Sequence, residues 1–167
     1  MLPLRGLLCA GLLLVATQAG AQDLPAPAHD VVLTVTGLIS KTNSDGDAVF
    51  DVAMLQEMDP IQIETTTIWT EGPQVFEGVL LSRLIDELGA GGSVIAASAL
   101  NDYTVEIPLS DAVPDGPILA FAQNGAPLSV RDKGPLWVIY PYDAKAEYHS
   151  ELIYARSIWQ VKRMEFR

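Results

Sequence analysis

The sequence predicts an α+β domain built on a mixed β-sheet with few helices. Three observations carry this prediction. Segments with the two-residue period of strands outnumber those with a helical period, the two kinds do not alternate regularly, and glycine, proline and asparagine clusters separate them at short intervals. The chain has 167 residues, enough for one domain with its own core and no covalent staples.

Met1 to Ala21 carries Arg5, an apolar run from Leu7 through Ala16, and Ala19-Gly20-Ala21 before Gln22. This is the layout of a secretory signal peptide cleaved after Ala21, and its run is too short to span a bilayer. The expected product is periplasmic and not itself membrane-spanning. It has 146 residues, nine basic side chains against 21 acidic ones, and a net charge of −12. The segment to be removed explains how a mean hydropathy of +0.24 coexists with such acidity. Cys9, the one cysteine, leaves with it. Its position inside the apolar run, rather than after it, argues against a lipid anchor. Without a thiol the remainder excludes a disulfide scaffold, thiolate metal sites and a cysteine nucleophile. Acids spread along the chain, with no basic cluster longer than Lys162-Arg163, exclude nucleic acid as a partner.

Residues 22–30, with Pro25 and Pro27, read as an extended leader, and the domain proper as 31–167. Val31, Leu33 and Val35 alternate with Thr34 and Thr36, the period of a half-buried strand. Asn43 to Asp47 has turn chemistry; a calcium loop there would lack the final bidentate glutamate. Asp51 can cap a short helix, with Phe50 stapling onto Leu55, and Met58-Asp59-Pro60 stops it. Ile61 to Trp69 is rich in β-branched residues and reads as one strand ending at Glu71-Gly72-Pro73. Phe76 to Val79 leads into an amphipathic helix with Leu80, Leu81, Leu84, Ile85 and Leu88 on one face, closed by Gly89. Strands follow at Val94–Ala99, at Tyr103-Val105-Ile107 before Pro108, and at Ile118–Gln123, the last ended by the hairpin signal Asn124-Gly125. Leu136–Tyr140 and Ile158–Phe166 complete the set, placing Trp137 and Trp159 inside strands as core residues.

Five blocks in order carry a resemblance: Phe76-Glu77-Gly78-Val79-Leu80-Leu81, Asn101-Asp102-Tyr103-Thr104-Val105, Gln123-Asn124-Gly125-Ala126-Pro127, Gly134-Pro135-Leu136-Trp137-Val138 and Val161-Lys162-Arg163-Met164-Glu165-Phe166. Together they resemble the sulfite-oxidase-type (oxidoreductase molybdopterin-binding) domain family over nearly all of Val31 to Arg167. The resemblance implies that family's fold. It also implies a cysteine ligand to molybdenum in the stretch occupied here by Glu64-Thr65-Thr66-Thr67-Ile68-Trp69, at or near Thr66. A threonine hydroxyl is hard, neutral and poorly ionised, a bad substitute for a soft thiolate. No molybdenum is therefore expected, and the retained chemistry is that of a pterin site.

Length, leader and the Thr-Ile-Trp-Thr stretch are most similar to the small periplasmic pterin-binding (PruR-type) proteins that lack this cysteine. That similarity implies a non-enzymatic sensor that binds a reduced pterin or a molybdopterin-like ligand. It further implies a relay to the periplasmic region of an inner-membrane signalling protein controlling cyclic di-GMP. The alternative is a molybdopterin-dependent oxidoreductase without the usual cysteine; a further one is an interaction domain that has lost its small molecule.

A pterin offers a flat face, a guanidine-like edge and hydroxylated atoms. Candidate ligand-binding residues are Trp69 for stacking, Thr66 and Thr67 for the edge, Asn101, Asp102 and Tyr103 in a loop before a strand, and Tyr154 with Arg156 ahead of the last strand. Each has an ordinary alternative: rim packing for Trp69, an inward ring for Tyr103, a turn cap for Asp102, a solvated charge for Arg156. Lys145, Glu147, His149 and Glu151 read as an exposed polar insertion open to a partner. No catalytic residue or metal ligand is assigned. His149-Ser150 lacks a nucleophile-elbow motif, and the other histidine, His29, sits in the leader.

Overall fold

The structure, a computed structural model, describes residues 24–167; the expected signal peptide over Met1–Ala21 lies outside the described residues. The chain runs through β1 (Leu33–Gly37), β2 (Ala48–Phe50), α1 (Val52–Gln56), β3 (Ile61–Thr65), β4 (Gln74–Leu80), α2 (Leu81–Leu88), β5 (Val94–Ala99) and β6 (Thr104–Pro108). It continues through β7 (Ile118–Gln123), β8 (Ala126–Pro127), β9 (Trp137–Ile139), α3 (Glu151–Arg156) and β10 (Val161–Phe166), with single 3-10 turns at Leu109–Asp111, Val130–Asp132, Tyr142–Ala144 and Ala146–Tyr148. The strands divide into two sheets, one ordered β2-β1-β10-β5-β6 and the other β3-β4-β7-β8, with β9 also on β7. The first sheet is mixed because β1 and β10 run parallel while its other pairs are antiparallel.

Apolar residues of both sheets and of the three α-helices form one core cluster. In β1, Leu33 and Val35 face inward and the threonines alternate outward, as their period requires. In α2, Leu81, Leu84 and Leu88 are buried, and Gly89 closes the helix in the left-handed conformation that glycine adopts without a Cβ penalty. Asp51 accepts the Met54 N–H at 2.8 Å as the cap of α1. Its other carboxylate oxygen takes the Ala28 and His29 N–H groups at 2.8 and 2.9 Å. One buried side chain thus starts a helix and pins the incoming chain, whose Leu24 is itself in the core. Asn124 and Gly125 both have positive φ, the geometry that a tight hairpin demands.

Three expectations need correction. The strand expected over Ile61–Trp69 ends at Thr65, because the Thr66 N–H leaves the ladder and is taken by the Asp143 carboxylate. Leu80, expected on the helical face, is the last residue of strand β4, which pairs on both sides with β3 and β7 and leads directly into α2. Trp159 is not a core strand residue: it is 40% exposed and makes only an isolated bridge, to Trp137. Among the described residues no helix is long and apolar enough to cross a membrane.

Candidate functional site

Where β3 ends, the chain forms a loop that is held by hydroxyl groups. The Thr66 N–H and hydroxyl donate to the two carboxylate oxygens of Asp143 at 2.6 and 2.7 Å, and the Asp143 N–H returns to the Thr65 hydroxyl at 3.2 Å. Thr67 accepts the Trp69 N–H at 3.1 Å and pairs with the Thr70 hydroxyl at 2.7 Å. Four threonines in six residues are therefore loop fasteners here. The two Thr66 bonds are also the main reason that the Asp143 carboxyl is held below the usual aspartate range, with His149 adding a smaller attraction.

The loop delivers Trp69 into a cluster of rings. Its centroid lies 5.7 Å from Trp137, 5.8 Å from Trp159, 5.9 Å from Tyr154 and 6.4 Å from Tyr142, every pair edge to face. Such pairs are mutually stabilising and leave ring faces without a parallel partner. The cluster rests on a buried polar frame. The Trp137 indole N–H donates to the Ser157 carbonyl at 3.1 Å, the Tyr142 hydroxyl donates to the Ser157 hydroxyl at 2.6 Å, and that hydroxyl donates to the Ile153 carbonyl at 2.8 Å. Burial pushes the Tyr142 phenol up to about 12, so it stays a neutral donor.

Above this frame opens a cavity of about 350 Å³, lined by Trp69, Trp159, Tyr154, Tyr103 and Asn101, with Ala99, Ala155, Ser157 and Ile158 between them. Aromatic walls with a few polar atoms are the usual build of a small-molecule site. Three segments converge on it: the loop after β3, the turn between β5 and β6, and the residues from the end of α3 to β10. Asn101 accepts the Tyr103 N–H at 3.2 Å, shaping the turn that leaves Tyr103 58% exposed at the rim.

Of the eight candidates, Trp69, Asn101, Tyr103 and Tyr154 line this cavity. Thr66 and Thr67 line a smaller hollow of about 100 Å³ with Ile68, Tyr142 and His149, and Tyr154 is shared by both. The Tyr154 hydroxyl lies 3.3 Å from His149 Nδ1, whose Nε2 lies 3.6 Å from Asp143. Asp102 lines neither space; its carboxylate accepts Lys162 at 2.7 Å, which lowers its pKa. Arg156 also lines neither, its guanidinium donating at 2.9 Å to Asp111, which accepts the Tyr140 hydroxyl at 2.7 Å.

Trp159 was missed as a site residue. The break that turns it to the cavity, Gln160 at φ 54° with a register shift between Val161 and Arg163, has no turn residue to announce it in the sequence. Among the described residues no group of three or more histidine, cysteine, aspartate or glutamate side chains is placed to hold a metal ion.

Comparison with known proteins bears on this geometry. Residues 28–147 match the family described as oxidoreductase molybdopterin binding domain. Among solved structures, the sulfane dehydrogenase SoxCD from Paracoccus pantotrophus superposes at a TM-score of 0.58 with 20% identity, covering 80% of this chain and 37% of that one. That identity speaks to the fold alone, and the chain spans well under half of its structural relative. No curated protein matches it.

Proposed function

This chain belongs to the oxidoreductase molybdopterin-binding domain family, and we propose that within it the chain is a periplasmic pterin-binding sensor rather than an enzyme. The observation that carries the reading is the cavity walled by Trp69, Trp159, Tyr154 and Tyr103. A pterin ring is flat and slides against such faces, while the Asn101 amide on the same wall offers its polar edge a partner. The donor set does not fit the family's metal centre. The only cysteine lies outside the described residues, in the segment read as a signal peptide. Thr66, at the matching place, spends its hydroxyl on Asp143. A neutral alcohol already committed to a carboxylate is a poor ligand for a redox metal.

Signalling would follow from linkage. Trp69 sits one residue from Ile68, which is 60% exposed, so a ring bound in the cavity bears on a loop that reaches the surface. A partner at the membrane that binds one state of this loop better shifts its equilibrium by that difference in affinity. The relay to a membrane protein controlling cyclic di-GMP and the export to the periplasm belong to this same proposal.

Titration of tetrahydrobiopterin into the purified chain tests it, read by quenching of tryptophan fluorescence and by calorimetry. Saturable quenching with a one-to-one heat is expected. Absence of both overturns the pterin reading, and stoichiometric molybdenum in protein purified from its own compartment would return the chain to the oxidoreductases.

A further inference from the structure

Outside that cavity, the cations of this acidic chain are distributed unevenly. The chain carries a net charge of −11, and nine of its ten lysines and arginines lie among the described residues. Six of these sit within 4.0 Å of a carboxylate: Lys41, Arg83, Lys145, Arg156, Lys162 and Arg167. The remaining three are Arg131, Lys133 and Arg163. Lys133 stands over the Trp137 ring at 5.4 Å. Arg163 lines a separate groove of about 330 Å³, and Arg131 follows Val130, another residue of that groove.

The groove lies at the end of the first sheet where β1 and β10 begin, with Thr34 and Arg163 in register. Besides Arg163 it is lined by Lys162 and by apolar side chains, of which Val31, Leu100 and Val130 are 48%, 43% and 53% exposed. Single exposed apolar residues are ordinary, but a contiguous set rimmed by charge marks an interaction surface. Lys162 is held by Asp102, whose side chain is 86% exposed, so a competing carboxylate can reach the same ammonium. Asp102 and Glu165 lie within electrostatic reach of Arg163 without forming an ion pair with it.

We propose that this groove docks a short segment of a second protein that carries both carboxylates and apolar side chains. Charge complementarity selects that occupant. An extended polyanion such as a nucleic acid or an anionic membrane meets the whole acidic molecule and is repelled by it. A segment with two or three carboxylates meets a lining that holds Lys162 and Arg163 and no acid, competes with Asp102 and Glu165 for these cations, and covers Val31, Leu100 and Val130 with its apolar side chains. The site is independent of the pterin cavity, and its test does not depend on what that cavity binds.

The probe is a fluorescein-labelled peptide of alternating glutamate and leucine, followed by anisotropy with the purified chain. Binding is expected at low ionic strength. It should weaken about tenfold in about 0.5 M salt, where a few ångströms of screening suffice to mask exposed charges. A similar loss is expected in the double variant Arg131→Glu/Arg163→Glu and in Val130→Ser, with the melting transitions of both held close to that of the parent. A glutamate-serine peptide should bind more weakly. The proposal is overturned by no binding, by equal binding to the charge-reversed variant, or by tighter binding to phosphatidylglycerol vesicles than to the peptide. Sedimentation that shows the chain pairing with itself through this face would also overturn it.

Discussion

Trp159 and Arg156 stand three residues apart and do different work. Trp159 packs edge to face with Trp69 and Trp137, lines the cavity and is 40% exposed, so its removal takes a wall from the site and little from the core. Trp159→Ala is expected to weaken pterin affinity about tenfold, the scale of one lost stacking contact, with a small change in Tm. Arg156→Ala should do the reverse. It leaves the Asp111 carboxylate, only 15% exposed, with Tyr140 as its remaining partner, at a cost of about 1–3 kcal/mol in chemical denaturation and no change in affinity. Trp69 touches four rings, and its loss affects both properties. Asp143 supplies the pH dependence. Its folded-state pKa is lowered, so its contribution is complete above the usual aspartate range and disappears as pH falls through and below that range. Acid should therefore loosen the loop that carries Trp69. Asp143→Asn should flatten this part of the stability profile, as measured by melting at successive pH values.

Strands β3 and β4 show what governs an element's limits. The β-branched run Ile61 to Trp69 has one propensity throughout, yet it pairs only as far as Thr65, where a carboxylate from a distant turn offers Thr66 better bonds than the ladder does. A partner 77 residues away leaves no trace in local periodicity. Strand β4 runs straight into α2, so Leu80, the last strand residue, falls on the same apparent stripe as the helical leucines. The β4–β7 register skips Phe121 between Glu77 and Gly78, and a Cβ built at Gly78 would collide with the backbone of Leu119 and Ala120. Because backbone cannot yield as a flexible side-chain tip can, Gly78→Ala is expected to lower Tm well beyond the effect of an exposed substitution, by differential scanning calorimetry.

At the scale of the molecule, two sheets share one core, and the segment before β1 belongs to it. Leu24 is buried, and Asp51 binds the chain at Ala28 and His29. Deleting residues 24–30 is expected to destabilise the whole domain, since it exposes core and leaves half of the Asp51 carboxylate without its N–H partners. Thermal unfolding of the shortened chain measures this. A single cooperative transition shifted downward is expected; an unchanged Tm would show that the segment is merely laid on the surface.

The sequence by itself determined the α+β class, most strands, the capped helix after Asp51, the helix closed by Gly89, the Asn124-Gly125 hairpin and the family. These follow from period, caps and turn chemistry, which act over a few residues and are therefore written locally. It also marked three of the four aromatic residues of the cavity's wall, Trp69, Tyr103 and Tyr154, because the segments that join strands are free to face a site. Only the tertiary structure decided that Trp159 completes that wall, that Asp111 holds Arg156, that Lys162 holds Asp102, and that Asp143 ends β3 at Thr65. Each of these is a choice of partner between segments far apart in the chain. Such choices depend on which groups the core brings within about 3 Å, the reach of a hydrogen bond, and no local pattern records that distance.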